Sequence, residues 1–121
     1  MANRNFEIFH NPRCTKSRLT LQRLRDAGIE PTITEYLTSP PTADRLRAVL
    51  GLLGFEDPRA LMRTKEAVYG ELGLGTVDAP DALIEAMTAH PILIERPIVI
   101  RDDARAAIGR PPENIDVLLA P

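Results

Sequence analysis

With 121 residues, a formal net charge of −2, 44% hydrophobic and 26% charged residues, the chain has the make-up of one globular domain, not of a disordered or fibrous segment. The acidic balance argues against nonspecific nucleic-acid binding, and no apolar run approaches the roughly 20 residues that span a bilayer. No apolar signal core follows Met1, so a cytoplasmic protein with no nucleic-acid and no membrane partner is expected.

Phe6-Glu7-Ile8-Phe9 alternates as a short strand that ends at His10, and Asn11-Pro12-Arg13 breaks it. A helix is predicted over about 15–27, with Leu21, Leu24 and Gly28 on one face and Gly28 as its C-terminal stop. Residues 32–37 read as a second strand, which closes a β-α-β unit. After Ser39-Pro40-Pro41-Thr42, the spacing of Leu46, Val49, Leu50 and Leu53 marks an amphipathic helix. Asp57-Pro58 supplies an N-cap and a first-position proline for a turn through Leu61 and Met62, and residues 65–72 suit another helix. Pro80 starts a third, with Leu83, Ile84 and Met87 inward and an end near His90, which packs or caps there. Residues 97–100 and 105–108 are strands joined by a turn at Asp102-Asp103. A last helix follows Gly109-Arg110-Pro111-Pro112, with Ile115, Leu118 and Leu119 inward. This α/β order, β-α-β then β-β-α around a helical insertion of about 42–90, matches a thioredoxin-like mixed four-stranded sheet in a single domain.

Cys14 is the one cysteine, so no intramolecular disulfide and no cysteine-rich zinc site can form. His10 and His90 lie far apart in sequence, and no protein-only metal site is expected. Lys16 and Lys65 are the only lysines among 15 basic residues, and the remaining arginines suit two-point recognition of an oxyanion.

Chemistry concentrates in His10-Asn11-Pro12-Arg13-Cys14-Thr15-Lys16-Ser17-Arg18. Cys14 stands between a strand end and a helix start, where unpaired backbone N–H groups and the helix dipole favour a thiolate over a thiol. Arg13, Lys16 and Arg18 add positive charge. Several reaction classes fail on spacing. A cysteine phosphatase loop needs arginine where Thr20 stands, and neither a G-x-x-x-x-G-K-[ST] phosphate loop nor a G-x-S-x-G elbow occurs. Ser17 occupies the second position of a Cys-x-x-Cys pair, so any disulfide of Cys14 must involve an external thiol.

The loop resembles the His-Asn-Pro-x-Cys-x-x-Ser-Arg signature of the glutaredoxin-linked arsenate reductases. Further matches run in order through Arg59-Ala60-Leu61-Met62-Arg63, the segment 90–99 (HPILIERPIV) and Ile108-Gly109-Arg110-Pro111. The resemblance implies reduction of arsenate to arsenite, with Cys14 attacking first, glutathione as co-substrate next and glutaredoxin last. It makes Cys14 the nucleophile, with His10 stabilising its thiolate. It assigns Arg63, Arg96 and Arg110 to the oxyanion, with Ser17 and Arg18 helping to hold the anion at the helix start. It implies a cis bond before Pro97 and requires no bound cofactor.

Two other readings stay open. One is a glutathione-dependent thiol–disulfide oxidoreductase without arsenate turnover. The other is a redox-responsive regulator binding RNA polymerase, although the Cys-x-x-Cys switch typical of such regulators is absent. Arg13 and Lys16 make the loop more basic than the family pattern, which suits tighter anion binding, a larger acidic partner or the carboxylates of glutathione.

Overall fold

Phe6 and Ile8 point to one side of β1 (Phe6–Phe9) and enter a core with Leu21, Leu24, Val99, Ile115 and Leu118. In the computed structural model, which describes residues 5–120, β1 lies at the interior of a four-stranded sheet of order β2-β1-β3-β4. It runs parallel to β2 (Thr32–Thr34), with Ile8 opposite Ile33, and antiparallel to β3 (Ile98–Arg101), with Ile8 opposite Val99. β4 (Arg105–Ile108) continues antiparallel to β3, with Ile98 opposite Ile108. The turn between them holds Asp102 at φ 55 and Asp103 at φ 51, a left-handed backbone that aspartate tolerates better than most residues. Asp102 is fixed there because its carboxylate accepts the Asn5 N–H at 2.7 Å.

Helix α1 (Thr15–Asp26) crosses between the parallel strands and contributes Leu21 and Leu24 to the core. It stops where expected: Gly28 adopts φ 79, and Ile29 N–H donates to the Leu24 carbonyl at 3.0 Å.

Three elements differ from the sequence expectation. β2 ends at Thr34, not near Leu37, because the next residues turn: the amides of Thr38 and Ser39 both donate to the Glu35 carbonyl. The helix expected over 65–72 is only α3 (Ala67–Glu71), which has no buried residue to lengthen it. The last helix is a 3-10 helix, Pro112–Leu118, not an α-helix. Its buried residues Pro112, Ile115 and Leu118 recur every third position, which a three-residue turn aligns on one face and a 3.6-residue turn would not. The Arg101 guanidinium, lying over the Phe6 ring, closes that helix by donating to the carbonyls of Leu118 and Ala120.

Contacts separate Pro40–Glu95 as one compact unit, and the chain on either side of it forms the other, which carries the sheet. Within Pro40–Glu95, α2 (Ala43–Leu53) buries Leu46, Val49 and Leu50, and α4 (Pro80–Ala89) buries Leu83, Ile84 and Met87. Thr42 caps α2 by accepting the Arg45 N–H, and Asp57 caps the 3-10 turn Pro58–Leu61 through the Arg59 N–H. His90 ends α4, its amide donating to the Ala86 carbonyl. Residues 61–63 and 93–95 pair across this unit, with Arg63 N–H on the Leu93 carbonyl and Glu95 N–H on that of Leu61. Among the described residues no helix is long and apolar enough to cross a membrane.

Candidate active site

Cys14 is the N-cap of α1, in extended backbone at φ −92 and ψ 123, so its sulfur sits over the first turn of the helix. Its carbonyl accepts the Arg18 N–H at 3.0 Å and its own N–H donates to the Asn11 carbonyl at 3.0 Å. The residue is 9% exposed. Burial alone pushes the thiol up. The Ser17 backbone N–H, the Arg96 guanidinium and the Lys16 backbone N–H pull the other way and prevail, so the thiol is held below its ordinary value. Arg110 stands on the same sulfur, its Nη2 3.9 Å away. Arg110 is aimed by a second bond, Nε to the Arg96 carbonyl at 2.8 Å, and its own carbonyl accepts Asn114 Nδ2 at 2.8 Å.

Under the loop, Ser17 is fully buried, and its Oγ lies 2.7 Å from His10 Nδ1 while accepting the Asn11 N–H at 3.0 Å. Burial lowers the His10 pKa; Glu35 pulls it up, Arg25 and Arg18 push it down, and the net is a lowering. A neutral imidazole suits this arrangement, because the Ser17 hydroxyl can donate to Nδ1 while accepting from Asn11. His10 thus supports the loop through Ser17, whose hydroxyl is turned inward. Arg18 also braces the loop: Nη1 donates to the Pro12 carbonyl at 2.9 Å and Nη2 to Thr15 Oγ1 at 3.3 Å.

The structure therefore brings Cys14, Arg96 and Arg110 together, with His10, Ser17 and Arg18 behind them. Arg63 belongs to the Pro40–Glu95 unit, where its Nε bonds Glu66 at 3.1 Å and its Nη1 bonds Glu95 at 2.9 Å. Residues that the sequence reading passed over also shape the site. Asn11, read only as a strand breaker, forms an Asx turn by accepting the Arg13 N–H at 3.0 Å. An asparagine before Pro and a helix start is the signal that pointed to it. Gly109 lies so close to α1 that a Cβ would stand 2.4 Å from Thr20 Oγ1 and 2.8 Å from Pro97 Cγ. The Arg96–Pro97 bond is cis, as the resemblance implied, and so is Arg110–Pro111. Among the described residues no group of three or more His, Cys, Asp or Glu could hold a metal ion.

A family model described as the ArsC family matches residues 9–118. The chain belongs to the ArsC family. An arsenate reductase of Neisseria meningitidis is 45% identical over 114 residues, covering 93% of this chain and 97% of that protein. Uncharacterized protein YfgD of Escherichia coli is 48% identical over 110 residues, covering 90% and 92% of the two chains. Among solved structures, an arsenate reductase from Vibrio cholerae superposes with a TM-score of 0.91 at 44% identity, over 96% of this ArsC chain and 98% of that one. These matches extend past the cysteine loop across both compact units, and the fold of this family member is thioredoxin-like.

Proposed function

We propose that this chain reduces arsenate to arsenite, with Cys14 as the nucleophile and glutathione and glutaredoxin as electron donors. The observation that carries the reading is a thiol held below its ordinary value beside the guanidinium groups of Arg96 and Arg110. A thiolate approaching an arsenate anion meets Coulomb repulsion, and fixed positive charge at the point of attack removes it. The relatives named arsenate reductase support the choice of oxyanion.

The thiolate attacks arsenic, one arsenate oxygen leaves as water, and a bond forms between the Cys14 sulfur and arsenic. The glutathione thiol displaces a second oxygen, also lost as water. A glutaredoxin thiolate then attacks the glutathione sulfur. A disulfide forms between them, the sulfur–arsenic bond to glutathione breaks, and its electron pair reduces arsenic from the pentavalent to the trivalent state. Water releases arsenite and returns Cys14. The two external thiols supply both electrons, which suits a chain with no second cysteine to resolve an intermediate. No bound cofactor enters the cycle. A reaction that draws on reduced glutathione belongs in the cytoplasm, where thiols are kept reduced.

In this cycle Arg96 and Arg110 hold the oxyanion, and His10, Ser17 and Arg18 hold the loop. Arg63 is the third arginine that the family resemblance assigns to arsenate. The test is arsenite formation by the purified chain with arsenate, glutathione and glutaredoxin, omitting each in turn. Arsenite that requires all three supports the reading. Reduction of glutathione mixed disulfides without any arsenite would make the chain a thiol–disulfide oxidoreductase instead.

A further inference from the structure

A second recess opens beside the cysteine loop. It is a cleft of about 310 Å³ lined by His10, Asn11, Pro12, Arg13, Glu35, Leu37 and Thr38. Its volume is at the lower end of the range for small-molecule sites. One wall is the stretch that runs directly into Cys14, and the other is the turn that cuts β2 short. Two exposed residues of opposite charge, Arg13 and Glu35, are among its lining. Neither side chain forms an ion pair or hydrogen bond with another described residue, and they do not pair with each other across the cleft. Leu37, 38% exposed, adds an apolar surface to the lining.

We propose that this cleft binds the γ-glutamyl end of glutathione, the thiol co-substrate, an inference that rests on the arsenate-reductase reading. The γ-glutamyl group carries an ammonium and a carboxylate on one carbon, so it matches a site that offers one carboxylate and one guanidinium. Glu35 accepts from the ammonium, and Arg13 donates to the carboxylate in the two-point manner a guanidinium allows. A simple oxyanion fits poorly, because Glu35 repels it. An acidic protein segment fits poorly for the same reason. The cleft and the Arg96–Arg110 pair share no lining residue, so oxyanion and thiol can be held at once. The need for a thiol donor anchored one residue from the nucleophile gives a role to Arg13, whose charge the family signature does not require.

The probe is S-methylglutathione, which keeps both charged ends and has no reactive thiol, titrated into the full chain and followed by residue-resolved NMR. Saturable shifts at residues 10–13 and 35–38 are expected, weakened about tenfold in Arg13→Ala and in Glu35→Gln. N-acetylation of the probe removes the ammonium and should erase the difference between wild type and Glu35→Gln. In turnover, both variants should raise the KM for glutathione and leave the KM for arsenate in place. Shifts confined to other residues, or unchanged affinity in both variants, would overturn the proposal. Binding is read without arsenate, so the two readings fail separately. A chain that binds the probe in this cleft but makes no arsenite keeps the cleft and loses the arsenate reading. One that makes arsenite without binding there loses the cleft alone.

Discussion

At Cys14 a cost and three gains are balanced at one sulfur. Burial disfavours the thiolate, and two backbone N–H groups at the start of α1 with the Arg96 guanidinium favour it by more. The rate of alkylation should therefore stay high as pH falls below the ordinary thiol range, dropping only past the lowered pKa. Ser17→Ala keeps the backbone N–H that favours the thiolate, so that midpoint should stay low. It removes the hydroxyl that holds His10 and the Asn11 N–H, at a stability cost of about 1–3 kcal/mol for the partners left buried. Arg96→Lys keeps the charge but loses the planar fork, and kcat/KM for arsenate should fall by about 10- to 100-fold. Unchanged kinetics would remove Arg96 from the anion site. His10 adds a pH dependence to stability. Its folded pKa is lowered, so between the folded and unfolded values the unfolded chain binds more protons, and stability rises with pH. The contribution is complete above about pH 6.5 and is lost as pH falls through the folded value. Urea unfolding across that window should show the slope, and His10→Asn should flatten it.

Local elements were legible where their signals are local. The Gly28 stop, the Asp57 cap and the stripe on α2 follow from residues within a turn of one another. The early end of β2 depends on a turn anchored at the Glu35 carbonyl, and neither its residues nor its spacing announces this. The C-terminal 3-10 helix was legible only to a reader who weighed a three-residue period against a 3.6-residue one. The loop chemistry was open to the sequence because charge, cysteine and helix start are contiguous. Gly109 was hidden because its reason is a neighbour distant in the chain, Thr20 on α1. Gly109→Ala should force α1 from the Arg110 segment and cost about 1–3 kcal/mol, measured by urea unfolding. It should also lower activity, since Arg110 is the next residue. Unaltered stability would mean that Thr20 gives way freely.

For the whole molecule, two compact units share one chain, and the candidate residues divide between them. Spacing could collect His10, Cys14, Ser17 and Arg18, which lie in one loop and one helix turn. It could not collect Arg96 and Arg110, which reach Cys14 only because β3 returns beside β1 and β4 beside β3. Those two were visible through family resemblance alone, as was Arg63. Arg63 holds Glu66 and Glu95 within its own unit, so Arg63→Ala separates two roles. A raised KM for arsenate assigns it to the oxyanion. A fall in thermal stability with that KM unmoved assigns it to the carboxylates only. The most direct test of the central claim is arsenite formation by wild type beside Cys14→Ser, with arsenate, glutathione and glutaredoxin all present. Turnover by wild type and none by the variant is the predicted result, and sustained arsenite formation without the Cys14 sulfur would contradict the account.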